Sequence, residues 1–124
     1  MIEYSIAEQE GLIHVHMSGL NSWVDLQNHF VEVYQDPRYK PSLKSLLQID
    51  DDAGGPLLSE LPEAQHVLEM AARAPNPLKK WAVVISSGFK RAMVEFMLRD
   101  AKLKPVELRF FADEPTALAW LNRQ

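Results

Sequence analysis

The sequence predicts an α/β domain with the element order β-β-α-β-α-β-α-β-α. Alternating apolar residues mark strands near both ends of the chain, and stretches with helical apolar spacing separate the later strands. A short apolar run at 81–85 is typical of a strand inside a parallel sheet. We therefore expect a mostly parallel five-stranded sheet with an N-terminal antiparallel hairpin and with helices mainly on one face.

The first two strands are predicted at 2–6 and 12–18, where apolar and polar residues alternate. The apolar positions are Ile2, Tyr4, Ile6, Ile13, Val15 and Met17. A polar turn that ends in Gly11 lies between the strands, so they are expected to form a hairpin. The outward positions are Glu3, Ser5, His14 and His16.

The first helix is predicted to begin after Ser22, because Asp25 three residues later completes a capping-box pattern. The helix must end before Pro37. Its apolar face comprises Trp23, Leu26, Phe30, Val33 and Tyr34. A strand at 43–49 follows, and the acidic turn 50–55 ends it.

The second helix is predicted from the apolar spacing of Leu61, Ala64, Leu68, Ala71 and Ala72. Pro75 and Pro77 end it, and the apolar strand 81–85 and the turn 86–88 follow. The third helix is predicted to direct Phe89, Ala92, Met93, Phe96 and Met97 inward. Its outward residues are Lys90, Arg91, Glu95, Arg99 and Lys102.

The last strand is predicted at 106–110, where apolar and polar residues again alternate. Asp113 is expected to cap a final helix that carries Pro115 in its first turn and directs Ala117, Trp120 and Leu121 inward. Because the first, second and last strands alternate, we expect much of one sheet face to be open to solvent or to a partner.

The composition indicates one globular domain covering residues 1–124. Hydrophobic residues make up 47% and charged residues 24% of the chain, which is typical of compact proteins. The net charge of −4 is spread along the chain, which argues against nucleic acid as a partner. The absence of cysteine excludes disulfides and thiolate zinc sites. We expect a cytoplasmic protein, because the acidic N-terminus does not resemble an export signal and no apolar run approaches the about 20 residues of a membrane span.

Three segments resemble the SpoIIAA-like branch of the STAS superfamily, whose βα superhelix fold is shared with CRAL-TRIO lipid-transfer domains. They are the opening hairpin 2–19, the strand 81–84, and the ending 107–114 with 117–121. The resemblance implies a domain that binds other proteins, as anti-sigma factor antagonists switched by serine phosphorylation do. In those switch proteins an aspartate-serine-serine-glycine signature follows the third strand. This chain reads Asp51-Asp52-Ala53-Gly54-Gly55 there and lacks the phosphorylatable serine.

The segment after the third strand is the predicted binding site for a partner or ligand. Its residues are Asp51, Asp52, Gly54, Gly55, Leu57, Leu58 and Ser59. Leu57 and Leu58 form an apolar patch in a loop that should be polar, and they either fold over the core or form an edge that a partner, a second copy or an acyl chain covers. Ser59 is interpreted as a helix cap rather than a displaced phosphorylation site.

Three further groups have both a structural and a functional interpretation. Ser86, Ser87 and Lys90 precede or begin a helix, where an anion would be favoured, although an ordinary serine N-cap needs no ligand and is the preferred interpretation. The acidic residues Asp50–Asp52 suit a hard cation but fit a solvated turn better. His14 and His16 lie on one side of a strand, yet no further zinc ligands are evident, and no triad is indicated. We therefore predict no catalytic residue, metal or cofactor.

Three functions remain open at this stage. The first is a non-enzymatic regulatory or protein-interaction domain that binds a protein partner or a second copy of itself. The second is a carrier of a small-molecule or lipid-like ligand in a CRAL-TRIO-like cavity. The third is a metal-dependent enzyme that uses Asp50–Asp52, for which the sequence offers the least support.

Overall fold

The computed structural model describes residues 1–53, 61–99 and 101–123. It contains the predicted element order. The strands are β1 (Ile2–Ala7), β2 (Leu12–Met17), β3 (Lys44–Ile49), β4 (Lys80–Val84) and β5 (Glu107–Phe111), and the helices are α1 (Trp23–Gln35), α2 (Leu61–Ala72), α3 (Gly88–Leu98) and α4 (Glu114–Leu121). A short 3₁₀ turn, Glu8–Glu10, separates β1 from β2.

The first two strands form the predicted antiparallel hairpin. Tyr4 pairs with Val15 and Ile6 pairs with Ile13, so the apolar side chains of both strands share one face. The turn ends at Gly11, whose φ of 68° is left-handed and therefore suits glycine. The predicted hairpin is confirmed, including the position of Gly11 at the end of its turn.

The other strands extend the sheet in chain order, β1-β2-β3-β4-β5, and all pairs after the hairpin are parallel. Each parallel pair is joined by one helix. Right-handed crossovers that always step in the same direction place their helices on the same face of the sheet. Side chains of α1, α2 and α3 accordingly meet the same sheet face, which carries Val15, Leu47 and Trp81.

The helix termini follow the sequence signals. Ser22 and Asp25 form the capping box at the start of α1, with reciprocal bonds between side chain and backbone. Asp113 accepts a hydrogen bond from the backbone N–H of Thr116 at the start of α4. This bond holds the pKa of the Asp113 carboxyl below its ordinary value.

The second face of the sheet is covered in part by α4. Trp120 and Leu121 are buried against Leu46 and Ala82, in a cluster separate from the larger core on the other face. The inward direction predicted for Ala117, Trp120 and Leu121 is confirmed. The prediction of a largely open face is wrong for β3 to β5, because α4 packs across them, and for Leu12 at the start of β2, which is buried in the same cluster. It holds for β1 and the rest of β2, where Glu3 and His16 are exposed.

Among the helices of the described residues, none is both long and apolar enough to cross a membrane.

Candidate functional site

An apolar cavity of about 230 Å³ lies between the sheet and helices α1, α2 and α3. Because strand residues alternate between the two faces, every strand contributes inward side chains to its floor. The floor includes Ile2, Val15, Leu47, Trp81, Val83 and Leu108. The floor of the cavity thus consists of the alternate strand residues that point to this face of the sheet.

The helices close the cavity from the other side. Leu26, His29 and Phe30 come from α1, and Ala64 and Leu68 come from α2. The α3 contribution consists of Lys90, Met93, Val94, Met97 and Leu98. Most of these side chains are aliphatic or aromatic, so the chemistry of the site depends on the few polar groups among them.

His29 is one of these polar groups. Its side chain is only 9% exposed and packs against the rings of Tyr4 and Phe30, with centroid distances of 5.8 and 5.3 Å. The Nδ1 atom is buried and has no hydrogen-bond partner among the described residues. Burial lowers the pKa of His29 to about 4, so the imidazole is neutral at physiological pH.

Trp81 on β4 supplies a second buried nitrogen. Its side chain is 5% exposed, and its ring lies 5.4 Å from that of Phe30. The indole Nε1 has no hydrogen-bond partner within the described part of the chain. Buried polar atoms in native proteins are nearly always paired, and leaving one unpaired costs about 1–3 kcal/mol. His29 and Trp81, which both line the cavity, thus each carry a buried side-chain nitrogen without a partner among the described residues.

The α3 helix packs loosely over the cavity. None of its residues is fully buried, and its apolar side chains are split between two sides. The prediction that Phe89, Ala92 and Phe96 point inward is wrong, because all three are exposed, Phe89 to 81% and Phe96 to 67%. Met93 and Met97 do line the cavity as predicted, together with Val94 and Leu98. The helix is rotated so that the 93–94 and 97–98 pairs, rather than the phenylalanines, face the sheet.

The residues predicted to bind a partner or ligand fall into two sets. Gly54, Gly55, Leu57, Leu58 and Ser59 lie outside the described residues. Asp51 and Asp52 are exposed in the turn after β3, and Asp51 accepts a hydrogen bond of 2.8 Å from the Ser86 hydroxyl. The turn thus lies beside the start of α3, as expected for the ends of neighbouring parallel strands.

The residues of the predicted anion site have partners within the protein. Ser87 caps α3 by accepting a hydrogen bond from the backbone N–H of Lys90. The Lys90 ammonium group donates to the carbonyl oxygens of Asp50, Asp51 and Ala53. These contacts explain the three residues by their structural roles, and anion binding remains a prediction.

Histidine, serine and aspartate side chains meet at this edge without forming a catalytic relay. The Nε2 atom of His16 lies 2.6 Å from Asp50 Oδ1, whereas Ser86 is bonded to Asp51. A relay requires the serine to be bonded to the histidine, which is not the arrangement here. In the ranges 1–53, 61–99 and 101–123, no three histidine or acidic side chains are grouped to hold a metal ion.

Comparisons with known proteins give the chain no family. No protein-family model matches it, and searches of curated proteins and of solved structures return no match. The resemblance to SpoIIAA-like proteins therefore stays a prediction from the residues. What is established is an α/β fold with a five-stranded mixed sheet.

Neither residue stands out in the sequence, where His29 is an isolated histidine within the predicted first helix and Trp81 belongs to the apolar run 81–85. A signal for His29 was available, because it lies three residues after Leu26 and four before Val33 on the apolar face of α1. The register of β4 also places Trp81 on the face that carries Ser45 and Leu108. Only the assembled sheet shows that both side chains border one cavity.

Proposed function

We propose that this domain binds a small, mostly apolar molecule in the cavity between the sheet and helices α1 to α3. The observation that carries the proposal is an apolar cavity of about 230 Å³ that side chains from all five strands and from three helices line. Ligand sites are typically concave and apolar with a few polar groups that orient the ligand. This proposal corresponds to the carrier hypothesis from the sequence.

The energetic cost of such a cavity supports this choice. Protein interiors are close-packed, and unfilled volume lowers stability by about 24 cal/mol per Å³. Space of this kind leaves the side chains that line it without packing partners on one side. A bound apolar molecule would recover contacts for the side chains that line this space.

The proposal is tested with toluene, a neutral apolar probe, in an NMR titration of the purified protein. We expect saturable shift changes in the amides of residues that line the cavity. Val83→Phe fills the cavity and should weaken toluene binding at least tenfold while preserving the fold. Val31→Phe is the matched control, because Val31 lies exposed on α1. If toluene causes no saturable change, or if Val83→Phe binds it as well as the original protein, the proposal is wrong.

Native mass spectrometry gives an independent test. A molecule that co-purifies with the original protein, but not with Val83→Phe, supports a ligand in this cavity. The two measurements together separate a specific site from non-specific adsorption, because adsorption does not depend on residue 83.

The second candidate function is binding of a protein partner, as the SpoIIAA-like resemblance implies. It is favoured by the exposed Phe89 and Phe96, which lie two turns apart on one side of α3. Sedimentation equilibrium tests self-association directly. If the protein dimerises, Phe89→Ser combined with Phe96→Ser should dissociate the dimer, and a protein that is monomeric throughout the concentration range argues against pairing of two copies.

A further inference from the structure

The outer face of α3, which consists of Phe89, Ala92 and Phe96, is apolar and lies in solvent. Phe89 and Phe96 are 81% and 67% exposed, and Ala92 between them is exposed as well. The two phenylalanines lie seven residues apart, so they project from the same side of the helix about 10 Å from each other. This outer face borders neither the cavity nor the shallow groove between α1 and α2.

Basic side chains border the outer face where α3 ends. The guanidinium group of Arg99 lies 4.9 Å from the centre of the Phe96 ring. Lys102 and Lys104 follow in the connection to β5, and both are exposed. Glu95 is the one acidic residue among the exposed positions of α3 that the structure describes. The phenylalanines therefore lie next to a surface with an excess of positive charge.

The charge of this part of the chain is opposite to that of the rest. Residues 88–106, which comprise α3 and its connection to β5, contain five basic and two acidic residues. The other residues contain eight basic and fifteen acidic ones, and the whole chain has a net charge of −4. A local excess of positive charge on an otherwise acidic protein attracts anions to one surface and orients the molecule toward them. The partner of the outer face should therefore be negatively charged.

Exposed aromatic side chains beside arginine and lysine are typical of helices that lie in the headgroup region of a bilayer. The apolar side chains enter the boundary between headgroups and acyl chains, while the cations meet anionic lipids. An acidic protein would also satisfy the charge requirement. The choice of a lipid surface rests on the proposed ligand-binding function, because a small apolar ligand concentrates in bilayers. The side of α3 opposite the outer face directs Met93 and Met97 into the cavity.

We propose that the outer face of α3 docks the protein on membranes that contain anionic lipids, and that this contact brings the cavity to the source of its apolar ligand. Phe89 and Phe96 are then inserted at the level of the headgroups, and Arg99 lies beside lipid phosphates. One helix thus contacts the membrane with one side and the ligand with the other. Because none of its residues is fully buried, α3 is the least embedded wall of the cavity among those that helices form.

The test measures co-sedimentation of the full chain with two kinds of vesicle. One consists of phosphatidylcholine, and in the other phosphatidylserine replaces about a third of it. We expect saturable binding to the anionic vesicles, at least tenfold tighter than to the neutral ones and weakened by salt.

A double variant tests the phenylalanines. Phe89→Ser combined with Phe96→Ser should lower the affinity for anionic vesicles at least tenfold, because it removes the apolar contact. Val24→Ser combined with Val31→Ser is the matched control and should change the affinity less than twofold. These two exposed valines are also seven residues apart, but on α1.

A second pair of variants tests the charge. Arg99→Gln should weaken binding to anionic vesicles about fivefold, the factor that one basic residue near such a surface contributes, and should not change binding to neutral vesicles. Lys40→Gln is the control, because it removes one positive charge from an exposed position in the connection from α1 to β3.

Three results would overturn the inference: no binding to anionic vesicles, equal binding to both kinds of vesicle, or unchanged binding in the phenylalanine double variant. Dimers that this variant dissociates, in a protein that does not bind vesicles, would assign the outer face to a second copy of the chain instead. The proposed function fails separately, because it depends on toluene binding in the absence of vesicles. Vesicle binding by a protein that binds no toluene would support the docking surface but overturn its role in supplying a ligand.

Discussion

The Nζ atom of Lys90 lies 2.7 Å from the backbone carbonyl oxygen of Asp51. The same ammonium group also donates to the carbonyl oxygens of Asp50 and Ala53, so one side chain connects the first turn of α3 to the turn after β3. Because α3 has no fully buried residue, such specific contacts matter for holding the helix over the cavity. A second one is the hydrogen bond that Gln65 Nε2 on α2 donates to the Met97 carbonyl oxygen.

Lys90→Met should lower the free energy of unfolding by about 1–3 kcal/mol, because carbonyl oxygens that accept from a charged donor lose their partner. Urea denaturation followed by circular dichroism measures the change. Lys79→Met is the control, since Lys79 is exposed, and it should change stability by less than about 0.5 kcal/mol. Equal effects of the two substitutions would show that the Lys90 contacts contribute nothing to stability.

The buried His29 should make stability depend on pH between about 6.5 and 4. Its pKa is about 4 in the folded protein and 6.5 when exposed, so the unfolded chain binds more protons in this range. Stability therefore falls as the pH falls, by about 1.4 kcal/mol per pH unit and about 3 kcal/mol in total. The carboxyl groups of Asp36 and Asp113, whose pKa values are lowered from 3.8, affect stability mainly below this range.

The measurement is a series of urea denaturation curves between pH 4 and 7.5. His29→Phe removes the titrating group and should flatten the slope between pH 6.5 and 4. His66→Phe is the control, because this histidine lies exposed on α2 and borders a shallow surface groove outside the cavity. A slope that survives in His29→Phe would assign the pH dependence to other groups.

Much of the fold was predictable because its signals are local. The alternation in β1 and β2, the capping box at Ser22 and the Asp113 cap each involve residues only a few positions apart, and all appear in the structure as predicted. The apolar run at 81–85 correctly indicated an interior strand. Local patterns are enough to predict a strand or a helix terminus when the residues that determine it are close in sequence.

The site was less predictable because it depends on how elements pack. The apolar residues of α3 surround much of the helix, so the sequence does not define which side faces the sheet, and Phe89 and Phe96 were assigned to the wrong side. Likewise, Lys90 was assigned to solvent although its ammonium group reaches the turn after β3. Neither contact has a signature in sequence spacing, since each joins residues from separate elements.

Gly11 and Gly88 should respond in opposite directions to alanine. Gly11 has a φ of 68°, and an added Cβ there meets no atom within 4 Å, so the loss in Gly11→Ala is purely conformational and amounts to about 1 kcal/mol. Gly88 lies in the first turn of α3 without a left-handed φ, and Gly88→Ala should stabilise by about 0.5–1 kcal/mol. Thermal denaturation measures both changes. Gly11→Asn should lose less than Gly11→Ala, because asparagine tolerates the left-handed region better.

Packing on the α4 face of the sheet should not affect ligand binding in the cavity on the other face. Trp120 on α4 is buried on the face opposite the cavity, 5.7 Å from the ring of Phe111, with Lys80 and Arg109 over its ring. Trp120→Ala should lower the free energy of unfolding by about 3–5 kcal/mol, measured by urea denaturation, because it removes a large buried side chain.

Trp120→Phe keeps an aromatic ring in that position and should retain most of the stability. Its affinity for toluene should equal that of the original protein, since α4 contributes no described residue to the cavity. If Trp120→Phe is fully folded but binds toluene more weakly, the two faces are coupled through β4. Residues of this strand alternate between the faces: Trp81 and Val83 line the cavity, and Ala82 and Val84 pack against α4. The NMR titration with toluene therefore decides whether the sheet isolates the site from its opposite face.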